Sequence, residues 1–201
     1  MENKLNFQKT LTDGFNLGIK NIGNLLLMAF LYMITIWIPY LNVGTTIGFY
    51  KAIVALSKGE EIVPTSLFSK ENYKSLGSFF ILLGLQTAGV GAAAAFFLFP
   101  AFVVSLAWQF SMYFFVDKKV SPLKALGLSY DTTCGEKWTL FFVYLAAAVL
   151  IGVVMGILCL IPYVGPVLAA LSCIVFVAVM MGIEATLYKY FSAKAEAMTE
   201  A

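Results

Sequence analysis

The sequence predicts an all-α integral membrane protein of six transmembrane helices. They are folded as three hairpins, each preceded by an interfacial or amphipathic helix, in an approximate threefold internal repeat. Three observations predict this class. Of 201 residues, 61% are hydrophobic and 12% charged, and the mean hydropathy is +0.88; ordinary soluble domains are about 25% charged. Three tracts, Asn21 to Tyr50, Ser75 to Val116 and Trp138 to Ile183, contain no Asp, Glu, Lys or Arg. Each tract is interrupted by a proline, at Pro39, Pro100 and Pro162, so the interruptions fall 61 and 62 residues apart.

The last tract shows the hairpin logic most clearly. Its 46 residues would reach ~69 Å as one helix, about twice the hydrocarbon core of a bilayer. Pro162 divides it inside Ile161-Pro162-Tyr163-Val164-Gly165-Pro166, so a crossing, a turn and a return crossing is the simplest reading. The predicted spans are Ile22 to Ile38, Leu41 to Ser57, Leu76 to Phe99, Ala101 to Val116, Trp138 to Leu160 and Gly165 to Phe191. Polar preambles precede each pair, at Asn6 to Lys20, Pro64 to Lys74 and Pro122 to Lys137. In the first, Phe7, Leu11, Phe15 and Ile22 follow near-helical spacing. In the third, Ser121-Pro122 has the form of an N-cap and first helical residue, followed by an apolar stripe of Leu123, Leu126 and Tyr130. Such segments are expected to lie in the membrane surface. The repeat units run approximately 5–58, 62–119 and 120–194 of one membrane domain, 1–201, with no separate soluble module. No cleavable signal peptide is expected, because Met1 to Lys20 mixes Glu2 and Asp13 with lysines and lacks a continuous apolar core.

Orientation follows from the 13 lysines; there is no arginine. The three turns carry none of them, so both termini and the preambles are expected in the cytoplasm and the proline turns outside. Packing has a trace too. Gly44, Gly48 and Ala52 recur every four residues in the second span, as do Ala148, Gly152 and Gly156 in the fifth. Small residues on one face let helix backbones approach closely in lipid. The stripes serve packing within the bundle, a homodimer face or a substrate groove.

Chemistry-bearing residues are few. There is no histidine, and no Gly-rich phosphate loop, nucleophile elbow or metal-spaced acidic cluster appears. Cys134, Cys159 and Cys173 fit no metal spacing. No catalytic residue, cofactor or metal is therefore expected, and the net charge of +2 gives no case for nucleic acid. The ionisable residues expected inside the membrane are Lys51 and Glu184. The first tract, at 30 residues, gives ~45 Å of helix, short for two crossings, so its second span runs on through Lys51. Glu184 lies five residues before Lys189. At similar depth the two either pair, bridging the first and last hairpins, or snorkel separately to the headgroups. Gln86 and Gln109 lie 14 and 9 residues either side of Pro100 and are placed to line a polar contact between adjacent helices.

The run from Ala107 to Leu145 adds a resemblance. It holds Val116-Asp117 at the end of a span, Ala125-Leu126 and Ser129 in an amphipathic segment, and Gly135-Glu136-Lys137-Trp138 leading into the next span; Ile-Pro-Tyr recurs at 38–40 and 161–163. In these features the chain resembles bacterial multi-span families related to the membrane domain attached to some glycerophosphodiester phosphodiesterases. The resemblance implies a six-helix fold in a bacterial cytoplasmic membrane. It does not carry over phosphodiesterase activity, since no catalytic domain accompanies the membrane part. The expected function is non-enzymatic: handling, sensing or transporting lipid-like or small apolar molecules. The alternative is a structural or assembly subunit of a larger envelope or transporter complex. Expected partners are membrane lipids, with a homo-oligomer or a membrane-protein partner. A lipid-sized crevice between hairpins supports the first reading, and a fully packed interior counts against it.

Overall fold

A computed structural model describes residues 4–161 and 163–200. Among the described residues the chain is helical throughout, with nine α-helices and no strand. α1 (Phe7–Lys20) starts at Asn6, whose side-chain oxygen accepts from the Lys9 N–H at 3.0 Å, and it ends on Lys20, a cation at the negative end of the dipole. At Asn21 the chain bends by 80° into α2 (Ile22–Thr35). Residues 36–40, Pro39 among them, form the first turn, closed by Tyr40 at φ 69°, before α3 (Leu41–Ser57). α3 stops because Gly59 adopts φ 77°. That conformation lets Gly59 N–H donate to the Leu56 carbonyl and Glu60 N–H to that of Ala55, both at 3.0 Å.

Two 3₁₀ turns, Pro64–Phe68 and Lys70–Ser75, lead into α4 (Leu76–Phe96). Then come α5 (Leu98–Trp108), α6 (Ser111–Lys118), α7 (Pro122–Thr133), α8 (Lys137–Cys159) and α9 (Gly165–Glu200). The consecutive pairs α2–α3, α4–α5 and α8–α9 each pack together.

The prolines act differently from expectation at one of the three turns. Pro39 lies in the first turn as predicted. Pro100 does not make the second: the break falls at Phe97, in extended conformation, and Pro100 sits in the first turn of α5. There the missing N–H costs nothing, because the first N–H groups of a helix have no intrahelical acceptor. Pro162 lies outside the described residues, while its neighbours Ile161, Tyr163 and Val164 lie in the bend between α8 and α9.

Four helical stretches are long and apolar enough to cross a membrane: Lys70–Phe96, Leu98–Lys118, Lys137–Cys159 and Val167–Thr199; the bent pair α1–α2 would make five. The first hairpin is the short one. α2 and α3 hold 14 and 17 residues, ~21 and ~26 Å of helix, below the ~30 Å hydrocarbon thickness. The segment after α3 also folds back along it. A Cβ on Gly48 would lie 2.8 Å from the Leu67 Cα, and one on Gly44 would lie 2.2 Å from the Tyr73 ring. Exposed Glu71 and Lys74, 3.8 Å apart, therefore flank α3 instead of lying beyond its end. The middle preamble is thus a pair of 3₁₀ turns clamped to the Gly44–Gly48–Ala52 stripe, where a free amphipathic helix was expected.

The other stripes need correction as well. Ala148, Gly152 and Gly156 on α8 are exposed, and a Cβ on Gly152 or Gly156 would meet nothing within 4 Å, so that stripe packs no neighbour in the bundle. The closest helix crossing is instead α1 on α9. A Cβ on Gly182 would lie 2.2 Å from the Gly14 carbonyl oxygen, and one on Gly18 would lie 2.5 Å from that of Ala178. α1 turns Thr10, Gly14 and Gly18 inward and leaves Phe7 and Phe15 exposed. In α7 the inward face is Ala125, Leu126, Ser129, Thr132 and Thr133, so Leu126 alone of its predicted apolar stripe is buried.

Burial is uneven along the bundle. Phe110, Phe114, Tyr188, Phe191, Ile53 and Leu56 are fully buried, with Phe110 and Phe191 ring centroids 4.8 Å apart. The hairpin tips are the reverse: Trp37, Leu98 and Tyr163 are 85%, 84% and 96% exposed. The tight core lies toward the lysine-bearing ends, where Lys58 pairs with Asp117 and Lys118 with Glu196. The apolar hairpins extend away from it with bare sides.

Two substitutions separate packed from bare glycines. Gly182→Val should destabilise the protein in detergent by about 3 kcal/mol, since the new carbons fall on α1 backbone. Gly152→Val should stay within about 0.5 kcal/mol of the parent. Thermal melts of the two variants check this, and equal effects would contradict the crossing.

Candidate functional site

Two features stand out, a polar cluster inside the bundle and an apolar groove on its side. The cluster is built around an interruption of the Leu98–Lys118 stretch at Gln109 and Phe110, between α5 and α6. No proline or glycine causes it. The Ser129 hydroxyl of α7 enters the ladder, donating to the Ala107 carbonyl at 2.7 Å and accepting from the Phe110 N–H at 3.2 Å. A polar side chain inserted into the i→i−4 pattern is a known origin of such breaks. A second freed carbonyl also finds a partner, as apolar surroundings require. Thr133 donates to the same Ala107 carbonyl at 3.3 Å, and the Gln86 amide donates to the Trp108 carbonyl at 3.3 Å.

Beside the interruption, three helices bring their polar side chains together. The Gln109 amide donates to the Tyr144 hydroxyl and, at 3.1 Å, to Glu184 Oε1. Tyr144 donates to the same oxygen at 2.9 Å. The carboxylate is buried, and the Tyr113 hydroxyl interacts with it as well. Among the described residues no lysine pairs with this carboxylate. Chemically it is a buried, hydrogen-bonded acid without a counter-cation among the described residues. No group of three or more Cys, Asp, Glu or His side chains converges among the described residues.

The predicted polar residues are thus partly assembled. Gln86, Gln109 and Glu184 meet around the α5–α6 interruption, although the two glutamines bond to different partners and not to each other. Lys51 stands elsewhere: its ammonium donates to Asn72 Oδ1 at 2.9 Å. The Lys51–Glu184 pair is therefore not formed. The depth estimate placed both residues at one height, but they face different neighbours. Sequence reading missed Tyr144, Ser129 and Thr133; the i, i+4 spacing of Ser129 and Thr133 on a short helix was the available signal.

The groove has a volume of about 690 Å³ and runs between α1, α8 and α9. Leu11 and Phe15 of α1, Leu150 and Val154 of α8, and Val175 and Val179 of α9 are among its walls. On α9 it extends from Leu168 to Ile183, ~22 Å of helix. Its two hydroxyls are already used: Ser172 donates to the Leu168 carbonyl at 2.9 Å and Thr12 to that of Gln8 at 3.0 Å. An occupant of the groove therefore meets a surface that is almost entirely hydrocarbon.

No family model, curated protein or solved structure matches this chain.

Double-mutant cycles test the rewired polar contacts. Lys51→Met and Glu184→Gln should be additive within about 0.5 kcal/mol, as for sites without shared partners. Gln109→Leu and Glu184→Gln should couple by at least about 1 kcal/mol, because the amide donates directly to the buried carboxylate. Detergent stability measurements showing the opposite pattern would restore the pair across the hairpins.

Proposed function

We propose that the chain is a non-enzymatic multi-pass membrane protein that handles a lipid-like or small apolar molecule in the groove between α1, α8 and α9. The observation that carries this reading is the groove's lining: about 690 Å³, within the ~300–1,000 Å³ of small-molecule pockets, with both hydroxyls bonded to their own helices. A polar solute would lose its hydration there without compensation, whereas a hydrocarbon chain loses none. The long bare sides of α4 and α8 suit direct access from lipid.

The same proposal includes the topology. Three hairpins enter a bacterial cytoplasmic membrane from the cytoplasmic side, as three loosely related units, with both termini in the cytoplasm. The second and third hairpins cross fully; the first, with its shorter helices and flanking Glu71 and Lys74, reaches less deep. A second reading, a subunit of a larger assembly, is favoured by one observation, the open Ala148–Gly152–Gly156 stripe on α8, which fits the backbone of another helix.

Native mass spectrometry of the protein released from its own membrane tests function and assembly together. Retention of an apolar adduct, reduced about tenfold in Val154→Trp or Val175→Trp, is the expected result, since bulk in the groove removes its contact area. Adducts indifferent to both variants would refute the groove reading, and a stoichiometric protein partner would favour the assembly reading. For topology, single cysteines are introduced after replacing Cys134, Cys159 and Cys173. An impermeant reagent outside the cell should label positions 98 and 163 but spare positions 60 and 120. The reverse labelling would overturn the orientation.

A further inference from the structure

The groove is not the only concavity. A second pocket of about 280 Å³ opens between the C-terminal half of α3 and the segment that folds back along it, and Lys51, Glu61, Ser66, Ser69, Glu71 and Asn72 line it. No element of this pocket contributes to the groove, and the two sites are independent of each other.

Lys51 is the unusual member. It is half-buried, yet among the described residues it forms no ion pair. Its one protein acceptor is Asn72 Oδ1, at 2.9 Å. Asn72 is itself fixed: it is buried, and its amide donates to the carbonyls of Ser66 at 3.1 Å and Leu67 at 3.0 Å. The lysine is therefore held in place by a rigid anchor, and an ammonium carries three donors. Two of these remain for a ligand in the pocket.

The charge pattern selects the ligand. A simple anion on Lys51 would face Glu61 and Glu71 in the same pocket, and like charges at such range oppose binding. Glu61 forms no ion pair among the described residues, and Glu71 has only the loose contact with Lys74 at 3.8 Å. A cation alone would face Lys51. A molecule bearing both charges a few bonds apart satisfies all three groups. The pocket also lies toward the C-terminal end of α3, the end that carries the charges of Lys58, Glu60 and Glu61.

We propose that this pocket binds a phosphate ester carrying a primary amine, the phosphate on Lys51 with the Ser66 and Ser69 hydroxyls nearby, and the ammonium on Glu61 and Glu71. The chemistry is that of an ethanolamine phospholipid headgroup or of free phosphoethanolamine.

The test uses the full-length protein in nanodiscs holding equal parts of phosphatidylethanolamine, phosphatidylglycerol and phosphatidylcholine, read by native mass spectrometry. Wild type should retain one phosphatidylethanolamine in preference to the other two lipids. Lys51→Met should lower that retention about tenfold, the loss of a charge-assisted bond. The exposed pair Glu61→Gln/Glu71→Gln leaves the Lys51–Asn72 anchor intact and should shift the preference toward phosphatidylglycerol. Displacement by soluble phosphoethanolamine assigns the site to the free compound, and persistence of the lipid against it assigns the site to the membrane; either upholds the zwitterion. Equal retention of all three lipids by wild type, or an unchanged preference in the double glutamine variant, overturns the proposal.

Discussion

The crossing of α1 on α9 is the contact on which the rest of the arrangement depends. Glycines on both helices bring backbone against backbone, and α9 in turn packs against α2, α3, α7 and α8. A helix of 36 residues, ~54 Å long, thus acts as the spine. Its two halves meet different surroundings. From Gly165 to Ile183 it carries no charge and pairs with α8; from Glu184 onward it carries Lys189, Lys194 and Glu196 and enters the aromatic core with Tyr188 and Phe191. The change of character along one helix divides the molecule into a packed base and projecting apolar arms.

That division also explains where polar groups are placed. The interruption between α5 and α6 lies where the arms join the base, and α7 supplies the hydroxyls that fill it. Asp117, near the end of the same span, is held by Lys58 and accepts from Tyr188 at 2.6 Å. Glu136 accepts from the Leu5 N–H at 3.4 Å and from Tyr190 at 3.2 Å. Each acid thus stitches segments distant in sequence. Glu184 does the same, accepting from Gln109 and Tyr144.

Much of the layout was legible in the sequence because charge-free length and helix breakers are one-dimensional properties. α3 has the predicted bounds, Leu41–Ser57, and α8 and α2 start within a residue of expectation. Pro100 misled because a proline marks either a turn or the first turn of a helix, and sequence does not say which. Lys51 and Glu184 misled because helical rise gives depth but not the direction a side chain faces. The Gly14–Gly18 ridge was overlooked in favour of the apolar residues around it. In water such residues would face the core, but in lipid the small face packs and the apolar one is left outside. Ser129, part of the element that carried the family resemblance, gave no hint that its hydroxyl would interrupt a neighbouring helix.

Because α1 rests on residues 178–183 of α9, it finds its seat only after the whole run of helices between them has been made. At ~5–20 residues per second, that is a wait of roughly 10–30 s. During that interval the intervening helices are made without the spine that later organises them. The clasp of α1 on α9 is therefore a late contact, made after the helices between them.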